Sequence, residues 1–375
     1  MLKRIYADNY RSLVNFDCPL AARQLILGAN GSGKSTLFDI LGLLRDFCVR
    51  GDLYREDQIT PRFGVETRTR WQNVAEQSFE LDLTGNGGEY QFRLVVDPCG
   101  HNKELQVIQE EVFFDGAPIF QFLQGEVHLF NDRHDDKVRY PFDWRRSALA
   151  TINERRDNTK LTWFKNWLDG LLIVSPDPKR MAGVAQKEVS RPNQGLTNFA
   201  DWYRHLRLDT DDRDYLTDLA EVFAGFVRLR LEEAGERRRE IKACFQEANG
   251  FDPRRLTEYT LGELSEGQRV LIGLYAVLHF ALRPEATVCF DEPDNFVALR
   301  EIQPWLTKVL DHTGDDDSPQ ILLVSHHPEL INKLAFKDGL LLDRPEGRHT
   351  RVTRFDDPAD TGLSAAELVA RGWET

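Results

Sequence analysis

Residues Leu27 to Thr36 read Leu-Gly-Ala-Asn-Gly-Ser-Gly-Lys-Ser-Thr, a complete G-x-x-x-x-G-K-[ST] pattern. The apolar run Leu25-Ile26-Leu27 precedes it, and Leu37-Phe38-Asp39-Ile40-Leu41 opens an amphipathic stretch after it. Strand, glycine loop and helix in that order make an anion cradle. The glycines let successive backbone N–H groups turn toward one phosphate, and the helix N-terminus adds its positive end. Asn30, Gly31, Ser32, Gly33 and Thr36 are expected to line the cradle. Lys34 would reach the β- and γ-phosphates, and the Ser35 hydroxyl would hold Mg²⁺.

The chain has 375 residues, enough to bury a substantial core as one elaborated domain or as two to three ordinary ones. Its longest uncharged apolar stretch, Val270 to Leu282, is interrupted by Gly273 and His279 and falls short of the ~20 residues of a membrane span. No transmembrane helix is expected. The start, Met1-Leu2-Lys3-Arg4-Ile5-Tyr6-Ala7-Asp8, lacks the apolar centre of a signal peptide, so a cytoplasmic location is expected. Five scattered cysteines without C-x-x-C spacing argue against a disulfide framework or a structural zinc site. With 48 Lys and Arg against 61 Asp and Glu, the net charge of −13 does not draw nucleic acid or anionic lipid non-specifically. The basic clusters Arg145-Arg146, Arg155-Arg156, Lys179-Arg180, Arg237-Arg238-Arg239 and Arg254-Arg255 read as solvated faces.

Leu2 to Leu20 alternates like two short strands around Asn9-Tyr10-Arg11-Ser12, and the helix from Lys34 should run to about Val49. Arg50 to Asn73 is polar, with Pro61 and Gly64 as breakers, and reads as loop. From Ser78 to Asn131 the period is two, with Gly85-Asn86-Gly87-Gly88 as a turn, which predicts an antiparallel meander. Trp144 to Phe226 reads as mostly helical. Its Trp144, Trp163, Trp167 and Trp202, interleaved with arginines such as Arg145, Arg155 and Arg204, suit either a partner surface or packing of the segment itself. Phe226 to Glu247 has helical propensity, yet two alternating runs flank Gly235 and favour a hairpin. The last third alternates strand and helix: Thr287–Phe290, Val297–Asp311, Gln320–Val324, Pro328–Leu334 and Leu340–Leu342. That order predicts a parallel sheet covered by helices. The polar run Asp315-Asp316-Asp317 reads as a loop tip.

Three further motifs carry chemistry. Val288-Cys289-Phe290-Asp291-Glu292-Pro293 is an apolar strand ending in two carboxylates, the Walker B arrangement. At a strand end of a parallel sheet both acids would border the phosphates. Asp291 is expected to hold Mg²⁺, and Glu292 to orient and deprotonate the attacking water. Leu264-Ser265-Glu266-Gly267-Gln268 stands before a helical stretch, where in isolation Ser265 would be only an N-cap. Ser325-His326-His327-Pro328 follows the next apolar strand.

In this order L-S-x-G-Q, Walker B and histidine resemble the ABC-type ATPases. The opening Asn9-Tyr10-Arg11-Ser12 and the early phosphate loop resemble their RecF/SMC branch, specifically the compact stand-alone AAA-type members without a coiled coil, found in bacterial anti-phage defence operons. Lys34 and Ser265 are more than two hundred residues apart, too far for a transporter ATPase and too near for a long coiled coil.

The resemblance implies an α/β fold: a P-loop ATPase with a mixed or parallel sheet core, an antiparallel β-subdomain and a helical insertion. The divisions would be a first lobe over 1–143, the insertion over 144–225 and a second lobe over 226–375. It implies ATP and Mg²⁺ as cofactors and a head-to-tail homodimer at least, in which Ser265, Gly267 and Gln268 meet the γ-phosphate held by a second protomer. Glu292, Lys34 and His326 would be the catalytic set, with His327 the alternative for the switch histidine. The implied partner is a separately encoded effector, a nuclease or toxin, since no H-N-H or P-D-(D/E)-x-K pattern occurs in the chain; no membrane partner is implied. A RecF-like DNA repair ATPase and the ATPase subunit of a transporter are the alternatives. Two departures from the family stand out. Asp294-Asn295-Phe296-Val297-Ala298-Leu299 lacks the usual D-loop ending, and the Mg²⁺-sensing glutamine is open among Gln58, Gln72 and Gln109.

Overall fold

The computed structural model describes residues 1–51, 61–100, 104–246, 256–313, 318–345, 348–356 and 362–372. Gln58, Glu247, Arg254-Arg255 and Asp315-Asp316-Asp317 lie outside them. The chain begins as the alternation predicts, with β1 (Leu2–Asp8) and β2 (Phe16–Pro19) joined through a turn in which Asn9, Arg11 and Asn15 adopt positive φ. Then follow β3 (Arg23–Leu27) and α1 (Lys34–Cys48), ending within one residue of the expected Val49. The meander comprises β4 (Gln77–Gly85), β5 (Gly88–Asp97), β6 (Gln106–Phe114), β7 (Ala117–Leu123), β8 (Glu126–Phe130) and β9 (Asp136–Pro141). It therefore runs one strand beyond Asn131. Asn86 and Gly87, with φ of 51° and 77°, make the tight first turn. With β1 and β2 these strands form one antiparallel sheet, β2-β1-β4-β5-β6-β7-β8-β9.

The segment after Trp144, expected to be a mostly helical insertion, also carries strands. It contains α2 (Thr159–Gly170), then β10 (Leu172–Val174) and β11 (Val184–Ala185), then α3 (Phe199–Asp209) and α4 (Arg213–Val222). Strand β10 pairs in parallel with the Walker B strand, so the segment is built into the central sheet. Its tryptophans follow: Trp167 and Trp202 are buried, Trp163 stacks on Tyr90 at 4.9 Å, and Trp144 is the exposed one of the four. Packing, rather than a partner surface, accounts for three of them.

Gly235 does sit in a hairpin, between β12 (Phe226–Glu233) and β13 (Arg239–Gln246), and β14 (Leu256–Thr260) adds to β13. The last third is α5 (Glu266–Phe280), β15 (Thr287–Asp291), α6 (Leu299–Asp311), β16 (Gln320–Val324), α7 (Pro328–Asp338), β17 (Gly339–Asp343), β18 (Arg351–Arg354) and α8 (Ala365–Arg371). Strands β10-β15-β16-β3-β17 run parallel, and β18 closes the edge antiparallel to β17. Each inner strand carries an apolar run, such as Leu25-Ile26-Leu27 and Ile321-Leu322-Leu323-Val324, because both faces are covered. Ile26, Cys289, Leu322 and Leu340 join the core shared with α1, α2 and the antiparallel sheet. Leu25, Leu27, Phe290, Leu323 and Leu341 face the core of α3 to α8. Among the described residues no helix is long and apolar enough to cross a membrane.

One amide ties the two sheets together. Gln320 at the start of β16 is buried; its Nε2 donates to the Leu2 (2.7 Å) and Ala21 (2.8 Å) carbonyls, while its Oε1 accepts from the Leu2 N–H (2.8 Å) and Thr287 Oγ1 (3.1 Å). Gln320→Leu strands these backbone groups and should cost about 2–4 kcal/mol in urea unfolding. A loss under about 1 kcal/mol would show that the joint does not depend on this amide.

Candidate functional site

Strand β3 delivers the chain to Gly28, whose φ is +143°. A Cβ there would stand 2.2 Å from the Leu342 carbonyl oxygen, so only glycine lets the loop leave the sheet against β17. Gly33, φ +109°, turns the loop into the first turn of α1. From outside, the loop is held by Thr350, which is buried and donates from Oγ1 to the Ser32 carbonyl (2.8 Å). Its N–H donates to the Ser12 carbonyl (2.9 Å), and the two hydroxyls share a hydrogen bond of 2.8 Å. Thr350 carries no signal in the sequence, being a lone threonine on the far side of the chain. Ser12 gave only the N-x-R-S pattern. Arg11 of the same turn pairs with Asp39 on α1.

Lys34 is buried and folds over the loop, its Nζ donating to the Gly28 (2.7 Å) and Ala29 (3.1 Å) carbonyls. Ser35 Oγ donates to Asp291 Oδ1 at 3.3 Å, which joins the two residues expected at Mg²⁺. Two hydroxyl and carboxylate oxygens at a phosphate loop suit a hard divalent cation such as Mg²⁺. Burial pushes the Asp291 carboxyl above its ordinary range; the Ser35 hydrogen bond opposes this, and the charges of Glu292 and Asp39 add to it. Burial likewise lowers Lys34, against the attraction of Glu292 and Asp291.

Glu292 has a left-handed backbone, φ 51°, of order 1–3 kcal/mol of strain for a side chain of this kind. Its N–H is fixed on the Val324 carbonyl (2.9 Å). Oε2 accepts from Asn295 Nδ2 (2.7 Å), and Oε1 faces His326 Nε2 at 3.7 Å. The histidine pair is thereby told apart. His326 is half-exposed and meets Glu292, whereas His327 is buried, with Nε2 3.3 Å from the Leu299 carbonyl oxygen. Asn295, a site residue not singled out in the sequence, holds the carboxylate from the opposite side.

Lys34, Ser35, Asp291, Glu292 and His326 thus gather at one edge of the parallel sheet. Among the described residues no hydrogen bond or ion pair joins Ser265, Gly267 or Gln268 to that cluster. Ser265 caps α5 in a box with Gln268, its Oγ accepting the Gln268 N–H (3.2 Å) and its own N–H donating to Gln268 Oε1 (3.0 Å). The N-cap geometry is therefore present. Gly267 lies against the turn after β15, with the Phe296 carbonyl oxygen 3.0 Å from where a Cβ would be. Phe296 on that turn and Leu299 at the start of α6 are 52% and 57% exposed.

Of the glutamine candidates, the two within the described residues fall elsewhere. Gln72 is in the loop before β4, and Gln109 on β6 donates to Glu111. Strand β10 flanks β15 on one side, with Val174 level with Phe290, and Ser175 is the first residue beyond it.

A family model described as "AAA domain, putative AbiEii toxin, Type IV TA system" matches residues 25–332. No curated protein matches the chain. Among solved structures it is similar to an Smc head bound to the C-terminal winged-helix domain of ScpA, with 14% identity and a TM-score of 0.54, covering 96% of this chain and 99% of that one. It is also similar to the Smc head domain with a coiled coil and joint from Pyrococcus yayanosii, with 10% identity and a TM-score of 0.50 over 99% of each chain. These likenesses establish the fold.

The raised Asp291 gives a pH test. Its carboxyl binds a proton more tightly folded than unfolded, so its ionisation costs stability, and that cost grows as pH rises through the folded pKa. Asp291→Asn, without nucleotide or metal, should melt above wild type at pH 7–8, with the gap closing toward pH 4. An equal or lower melting point at neutral pH would contradict the assignment.

Proposed function

Since this chain belongs to the AAA-domain family described with the AbiEii toxin, we propose that it is a Mg²⁺-dependent ATPase working as a head-to-tail dimer that governs a partner effector. The observation that carries the reading is the meeting of Lys34, Ser35, Asp291, Glu292 and His326 at one sheet edge. Bound Mg-ATP would supply the phosphoanhydride and the cation that neutralises its oxygens. Backbone N–H groups of residues 30–36 and the Lys34 ammonium bind the phosphates, while Ser35 and Asp291 hold the metal. Glu292, with Oε2 occupied by Asn295, keeps Oε1 to accept the proton of the attacking water. His326 steadies that oxygen and senses the γ-phosphate.

The dimer is supported by the resemblance of Leu264-Ser265-Glu266-Gly267-Gln268 to the family signature and by the exposure of Ser265 at the N-terminus of α5. The exposed Phe296 and Leu299 beside Gly267 give the same face apolar surface to bury. The effector, a separately encoded nuclease or toxin, is proposed from the resemblance read in the sequence; the family description names a toxin–antitoxin system and gives the matched domain as its putative toxin. The ScpA domain bound to a similar Smc head is a precedent for a protein docking on this fold.

Glu292→Gln should leave Mg-ATP binding intact and lower turnover by about a hundredfold or more, the scale of a lost general base. Sedimentation with ATP should then show more dimer than wild type. Unchanged hydrolysis would remove Glu292 from the reaction.

A further inference from the structure

The strand order β10-β15-β16-β3-β17-β18 gives the nucleotide site a direction. Asp291 ends β15, Glu292 follows it and His326 follows β16, all on one side of the phosphate loop that follows β3. A nucleotide lying on that loop with its terminal phosphate toward Glu292 must carry its sugar and base the other way, over β17. On that side stands Arg344, the first residue beyond β17, with its guanidinium carbon 5.6 Å from the centre of the Trp71 ring. The arginine is itself held, Nε donating to the Arg348 carbonyl at 3.1 Å.

Trp71 belongs to a segment fastened to the same corner. The Thr67 carbonyl accepts the Arg11 N–H (2.7 Å), and Arg11 pairs with Asp39 on α1. Buried Asn9 accepts the Thr69 N–H (3.1 Å) and donates to the Val74 carbonyl (2.9 Å). The chain around Trp71 is thus tied down on both sides, yet the indole remains 47% exposed. An indole backed by a guanidinium on one side, with much of its surface in solvent, is a stacking shelf, and every nucleobase has a π-face to lay on it.

We propose that Trp71, backed by Arg344, is the platform for the purine base of the nucleotide bound at Gly28–Thr36. The assignment rests on reading that loop as an ATP site. It explains why a large aromatic side chain is displayed at this rim while Trp167, Trp202 and Trp305 are buried.

The test compares Mg-ATP with Mg-tripolyphosphate, which has the phosphates and no base, by titration calorimetry. Wild type, Trp71→Ala, Trp71→Phe and Lys34→Ala are measured, with far-UV circular dichroism confirming each fold. Trp71→Ala should bind ATP about 5- to 100-fold more weakly, the range for a lost base stack, and tripolyphosphate as wild type does. Trp71→Phe should keep most of the ATP affinity, and Lys34→Ala should lose both ligands. If Trp71→Ala binds ATP like wild type while Lys34→Ala loses both, the platform is wrong and the phosphate site stands; the exposed ring then belongs to a protein contact. Equal weakening of both ligands by Trp71→Ala would also overturn it, since the ring would then only support the loop. Lys34→Ala binding both normally would overturn the ATP-site reading itself.

Discussion

Five strands pointing the same way, with β3 buried between β16 and β17, impose the constraint from which the rest of the site follows. Parallel strands share one carboxyl edge, so residues far apart in the chain leave the sheet side by side: Gly28 after β3, Asp291 and Glu292 at the end of β15, Ser325 and His326 after β16. No side chain has to be carried far to meet another. The close packing that secures the edge also holds conformations that would be unfavourable in a free chain. Gly28 at φ +143° lies against the Leu342 carbonyl, and Glu292 at φ 51° is anchored by its N–H on Val324. Two-sided burial of the strands supplies the rigidity for both.

The motifs were legible because their chemistry is local. A phosphate cradle needs its glycines, lysine and hydroxyl within a few residues, and an apolar strand ending in two acids needs only its own sequence. The pattern of one covered face marked β1, the meander and the hairpin around Gly235 equally well. What stayed hidden was long-range. Strand β10 is a three-residue run after a helix, and only its pairing with β15 shows it to be part of the central sheet. Thr350 is an ordinary threonine until the fold lays it beside Ser12 and Ser32. Of Trp144, Trp163, Trp167 and Trp202, composition gave the interface character, and the fold buries Trp167 and Trp202 in the core. His326 and His327 became distinct only through what surrounds each: a carboxylate for one, a buried carbonyl for the other.

The start of helix α5 touches the exits of both β10 and β15. At its first turn Arg269 donates to the Pro178 carbonyl at 2.7 Å, in the loop that leaves β10, and Lys179 of that loop approaches Glu266 to 4.0 Å. Gly267 lies against the turn leaving β15. A displacement at either strand end therefore has a direct contact through which to move α5, and Pro176 and Pro178 stiffen the first of these connections. In the proposed dimer the N-terminus of α5 faces the other protomer's nucleotide, so one protomer's strand ends and its partner's phosphates would be separated by a single helix turn.

The composite site is the claim on which the proposed function stands, and mixing two defective chains tests it most directly. Lys34→Ala removes the phosphate contact of one protomer, and Ser265→Arg blocks the signature of the other. Each variant alone should hydrolyse no ATP above background, while their mixture should regain hydrolysis, because one protomer then offers an intact loop and its partner an intact signature. Hydrolysis by Ser265→Arg alone at the wild-type rate, in a species that sediments as a monomer, would contradict the head-to-tail site.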